Sequence, residues 1–76
     1  MSATKLEIHQ AIKSVINNEM GRPMPDNFKP DGGVRTAIEK MIRDKFPVGG
    51  LNLNDLSVSQ IIDKVHKALI QLSQPL

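Results

Sequence analysis

Leu56-Ser57-Val58-Ser59-Gln60-Ile61-Ile62-Asp63-Lys64-Val65-His66-Lys67-Ala68-Leu69-Ile70-Gln71-Leu72 is the stretch on which the fold turns. Ser57 and Gln60 stand in capping-box spacing, where each side-chain oxygen can accept from the other residue's backbone N–H. Leu56 and Ile61 occupy the two positions of a hydrophobic staple, which sets the angle at which the chain enters a helix. Behind that start, Val58, Ile61, Ile62, Val65, Ala68, Leu69 and Leu72 share one stripe about 120° wide, and Asp63, Lys64, Lys67 and Gln71 face water. A helix over 57–73 follows. Ile70 falls off the stripe, one turn from His66.

Upstream of this helix, Pro47, Gly49 and Gly50 mark an interruption, and a second lies at Gly21, Pro23, Pro25, Pro30, Gly32 and Gly33. Between them a second helix is predicted over 31–45. Asp31 is its N-cap, and Pro47 forbids its continuation. Val34, Ala37, Ile38, Met41 and Ile42 form its apolar face, opposite Arg35, Glu39 and Arg43. A first helix is predicted over 4–20, from a capping box at Thr4 and Glu7 to a stop at Gly21. Ile8, Ala11, Ile12, Val15 and Ile16 share one arc, with Leu6 pointing away from it. Period-two alternation is nearly absent. Leu51-Asn52-Leu53-Asn54 is the exception, with a possible bridge to the segment around Phe28. Three such stripes can bury one another, so the reading is all-α: a small three-helix domain, one domain over 1–76, with two long loops packed down by Met24, Phe28, Val48 and Leu51.

Composition narrows the function classes. The chain of 76 residues has no cysteine, which removes disulfides, thiolate metal sites and a cysteine nucleophile and suits a cytoplasmic setting. Apolar runs are a few residues long, against roughly 20 for a membrane span, and Met1–Lys5 carries no hydrophobic signal region. The formal net charge of +2 resides wholly in residues 22–45, where Arg22, Lys29, Arg35, Lys40, Arg43 and Lys45 are mixed with Asp26, Asp31, Glu39 and Asp44. Aromatic residues are limited to Phe28 and Phe46, too few for a base-stacking platform.

No constellation carries a recognisable chemistry. His9 and His66 sit at the edges of their apolar faces and can meet, with Asp63 near, if the first and third helices are neighbours; metal spacing such as H-E-x-x-H is missing, so no metal or cofactor is expected. Ser14, Ser57, Ser59 and Ser73 read as helix-surface or cap residues, and Glu7 and Glu19 stand too far apart to act as a pair. Nor is an enzyme expected, because so short a chain offers little depth for a water-excluding cleft. The glycine pairs Gly32-Gly33 and Gly49-Gly50 extend to neither phosphate-binding fingerprint. Residues 53–62 resemble the turn before a DNA-recognition helix only loosely, since the connection is too long and Ser59, Gln60 and Asp63 bring no cation.

Surplus apolar residues remain: Leu6 and Ile70 off their stripes, Met24 and Phe28 in a proline-bounded loop. Together they suggest a non-catalytic protein-protein interaction module, a small adaptor or regulatory protein of bacterial or phage type. Its partner would be another protein or a second copy, held by Leu6, Met24, Phe28 and Ile70. The alternative is a DNA-binding regulatory domain that presents Arg22, Lys29, Arg35, Lys40 and Arg43 from helix 31–45 and the preceding loop to phosphates. On either reading the Gly21–Pro30 loop is the expected contact element, because long ordered loops usually exist for contact.

Overall fold

The computed structural model describes residues 4–73. Its elements are α1 (Lys5–Met20), α2 (Gly32–Lys45) and α3 (Val58–Ser73), with no strand among the described residues. The three predicted ranges are thus recovered, each having included its N-cap residue. None of these helices is long and apolar enough to cross a membrane.

Local chemistry sets the ends. The Thr4 hydroxyl accepts from the Glu7 N–H at 3.1 Å, and the Glu7 carboxylate accepts from the Thr4 N–H at 3.3 Å. At its other end α1 closes in a Schellman arrangement, with the Gly21 N–H on the Asn18 carbonyl and the Arg22 N–H on that of Asn17. Gly21 sits at φ 71°, where a Cβ would cost about 1–2 kcal/mol.

Asp31 corrects the sequence reading. It holds the N-cap position of α2, but its side chain makes no cap hydrogen bond. Gly32 follows at φ 52° instead of a helical angle, so the first-turn amides are not presented to the Asp31 carboxylate in the usual way. The Asp31 carbonyl still receives the Arg35 N–H at 3.2 Å. At the far end the Phe46 N–H reaches the Ile42 carbonyl before the chain turns extended ahead of Pro47.

The start of α3 is the best satisfied helix terminus in the molecule. Its capping box forms, with the Ser57 N–H donating to Gln60 Oε1 at 2.9 Å and the Gln60 N–H to Ser57 Oγ at 3.3 Å. The remaining orphan amides are taken by the first loop. The Val58 N–H donates to the Phe28 carbonyl at 2.8 Å and the Ser59 N–H to the Asp26 carbonyl at 3.1 Å. These bonds stand where a bridge from Leu51–Asn54 to the Phe28 region was conceivable; no such bridge forms.

Among the described residues twelve side chains make the core: Ile12 and Ile16 from α1, Ile38, Met41 and Ile42 from α2, Val58, Ile61, Ile62 and Val65 from α3, and Met24, Val48 and Leu53 from the loops. Burying a side chain of this size yields about 1.5–3 kcal/mol, so the loop residues contribute to the fold on the same scale as helical ones. Phe28 and Leu51 are half-buried against the same cluster. Lys45 Nζ meets Glu19 Oε1 at 2.8 Å, which ties the last turns of α1 and α2 together; that hydrogen bond raises the Lys45 pKa above its ordinary value.

Three assignments to the buried stripes need correction. Leu72 is 60% exposed, and Ala11 and Ala37 are exposed as well. Both alanines lie at the margins of their arcs, about 70° from the centre on a helical wheel. Leu72 is exposed because α3 outruns its neighbours, as the pairing of α1 with α3 makes plain.

Candidate functional site

α1 and α3 run antiparallel along a seam lined with polar pairs. His9 Nδ1 lies 3.8 Å from Asp63 Oδ1. One turn on, Lys13 Nζ holds Asp26 Oδ1 at 2.7 Å, and the Asp26 carbonyl in turn accepts from Ser59. Moving from His9 to Lys13 along α1 therefore moves from Asp63 back to Ser59 along α3. Extended the other way, this register sets Lys5 near residue 67 and leaves the last turn of α3 beyond the start of α1. That overhang exposes Leu72.

Leu6, His9 and Lys13 are spaced to share one flank of α1, and Asp63, His66 and Ile70 one flank of α3. The two flanks face each other across the seam. Leu6 is 67% exposed and Ile70 42%, both at the end where α3 overhangs. Beside Leu6 an open groove of about 390 Å³ is lined by Lys5, Leu6, His9 and Gln10 of α1 and by Asp26 of the first loop. His66 is buried at 8% exposure, deeper than the edge position predicted for it. Among the described residues no three His, Asp or Glu side chains gather in a way that can hold a metal ion.

The other two residues expected to meet a partner lie elsewhere. Met24 is 1% exposed and its N–H donates to Asn17 Oδ1 at 2.9 Å. Phe28 packs half-buried against the core. Their loop is occupied in closing the bundle: its carbonyls cap α3, its methionine fills the core, and Pro30 is buried. Of the two places the sequence allowed Met24 and Phe28, packing the loop down onto the bundle or joining Leu6 and Ile70 at a contact face, they take the first. Leu72 belongs to the exposed apolar end instead. No residue-level signal in the sequence marked it, because its exposure depends on where α1 begins relative to α3.

On α2 the basic residues Arg35, Lys40 and Arg43 are interspersed with Glu39 and Asp44. Arg22, Lys29, Lys40 and Arg43 are exposed and Arg35 is half-buried. Glu39 stands between Arg35 and Arg43 on one side of α2. Lys40 lies about 140° around the helix from Arg35, with Asp44 one turn beyond it. Lys29 is two residues from the end of the loop, near Asp26 and the start of α3.

Asp26 has a defined electrostatic setting. The hydrogen bond from the Lys13 ammonium, reinforced by its charge and against some desolvation, holds the carboxyl below its ordinary value of 3.8. A carboxylate depressed in the folded state adds stability that is complete above the unfolded value and fades as pH falls through the folded one. The Lys13–Asp26 contribution is therefore present at neutral pH and is lost below about pH 4. Lys13→Met is expected to flatten the acid limb of a stability-versus-pH curve, measured by urea unfolding between pH 2 and 7; an acid limb as steep as the parent's would remove Asp26 from the account.

Comparison with protein-family models, with curated proteins and with solved structures finds no match to this chain.

Proposed function

We propose that the protein is a non-catalytic protein-interaction module that binds its partner at the open end of the α1–α3 seam. The observation that carries this reading is the exposure of Leu6, Ile70 and Leu72 at the end of the bundle where α3 overhangs α1. Single exposed apolar side chains are ordinary. Leu6 and Ile70 lie on the facing flanks of the seam, with Lys5 and Gln10 beside Leu6 along the groove, which has the composition of a contact patch with a polar border; Leu72 lies on the other side of the same overhanging turn. Nucleic-acid binding through α2 draws less support, since Glu39 and Asp44 interrupt the basic residues.

The test is affinity capture from the native host with the tagged protein, nuclease-treated in parallel, followed by mass spectrometry. A defined protein partner is expected to survive nuclease and to be lost with Leu6→Gln combined with Ile70→Gln. As surface changes, these should leave folding within about 0.5 kcal/mol per site of the parent. Retention of the same partner by the folded double variant would rule out this end of the seam, and loss of all partners on nuclease treatment would favour the DNA-binding alternative.

A further inference from the structure

A second hollow, of about 160 Å³, lies between α2 and the second loop, lined by Thr36, Glu39, Ile42, Arg43, Gly49, Gly50, Leu51 and Leu53. The chain over residues 48–53 carries no helix, turn or bend. Val48 and Leu53 are buried and Leu51 is half-buried, so apolar side chains pin this segment to the core. Part of its backbone is paired, with the Val48 N–H on the Phe46 carbonyl, the Asn52 carbonyl accepting from Lys64 Nζ at 3.0 Å and the Leu53 carbonyl from the Leu56 N–H, but among the described residues no acceptor receives the N–H of Gly49, Gly50, Leu51, Asn52 or Leu53. Backbone donors are obligatory hydrogen-bonding groups. In an extended stretch alternate amides point the same way, so one edge of this segment has its donors left to water or to another chain.

The two glycines sharpen the point. Neither has a positive φ, and a Cβ at either would meet nothing within 4 Å. Glycine is therefore not required here by turn geometry or by packing within the molecule, although it weakens an extended segment through its large conformational entropy. Bare backbone in an extended stretch suits the close approach of a second backbone. On the opposite wall Glu39 and Arg43 stand one helical turn apart, with no ion pair to either among the described residues. Their separation along α2 is about 6 Å, close to the roughly 6.6 Å between alternate side chains of an extended strand.

We infer that this hollow receives an extended peptide, which pairs its backbone with residues 49–53 and directs one acidic and one basic side chain, two residues apart, to Arg43 and Glu39. Strand addition of this kind takes affinity from main-chain hydrogen bonds and selectivity from alternate side chains. The site is separate from the α1–α3 seam, and its Arg43 and Glu39 carry the charge complementarity the seam lacks.

The probes are two end-blocked pentapeptides, Thr-Lys-Val-Glu-Thr and Thr-Glu-Val-Lys-Thr, which cover both strand directions, and versions of each with N-methyl groups on alternate amides. In the free protein, hydrogen exchange at 49–53 is expected to be as fast as in an unfolded chain. Titration of the isotope-labelled full chain with one of the two peptides is expected to give saturating amide shifts over residues 49–53 and to slow exchange there. N-methylation should abolish this, and Arg43→Gln and Glu39→Gln should each weaken binding by about threefold, the scale of an exposed ion pair. Protection of these amides in the free protein, absence of saturable shifts with both peptides, equal binding of the N-methylated versions, or unchanged affinity in both folded variants would each overturn the proposal.

Discussion

Met24→Ala is expected to lower the unfolding free energy by about 2–5 kcal/mol, the range for truncating a fully buried Met. A domain of this size typically has about 3–5 kcal/mol to lose, so the variant should be substantially unfolded at room temperature. The reason reaches beyond apolar area. Met24 is 1% exposed and its N–H is fastened to Asn17 of α1, so it seats the loop whose Asp26 and Phe28 carbonyls take the first amides of α3. Loosening that loop uncaps α3. Met24→Leu keeps the volume and should cost less than about 1.5 kcal/mol. Urea unfolding followed by far-ultraviolet circular dichroism measures both, and a Met24→Ala protein as stable as its parent would show the loop to be a passive tether.

Ile61→Ala and Leu72→Ala should differ by about 1.5–5 kcal/mol, although both residues belong to the same apolar stripe of the same helix. Ile61 is 0% exposed, alongside Ile62 and Val65, at the centre of the core. Its truncation leaves a cavity in the core cluster and should cost about 2–5 kcal/mol. Leu72, 60% exposed on the overhanging turn, should change stability by no more than about 0.5 kcal/mol. Paired thermal melts of the two variants decide the matter. Equal losses would mean that the last turn of α3 is packed in solution and that the seam has no open apolar end.

The helices were legible because their signals are local. Thr4 with Glu7 and Ser57 with Gln60 satisfy helix amides within a few residues, and Gly21 and Pro47 forbid continuation through their own backbone geometry. Such causes act in any context. Asp31 shows the limit even here: the right residue occupies the cap, but the glycine after it turns the chain so that the carboxylate makes no cap bond.

The candidate sites were legible only in part. Leu6 and Ile70 could be picked out as surplus to their stripes, and both are exposed. Met24 and Phe28 carry the same apolar label and ended inside or against the core, because a loop between prolines gives no periodicity from which to read an inward face. Nor did any pattern reveal that Glu39 and Arg43 would face Gly49 and Gly50 across a hollow, since those residues come from different segments.

Composition, spacing and caps by themselves determined that this chain makes three helices, where they begin and end, and which arc of each is apolar. Only the tertiary structure decided which apolar residues are spent on the core and which stay at the surface. Helix formation depends on contacts within about four residues, whereas burial depends on the register of α1 against α3 and on a loop whose carbonyls reach a helix some thirty residues further along the chain.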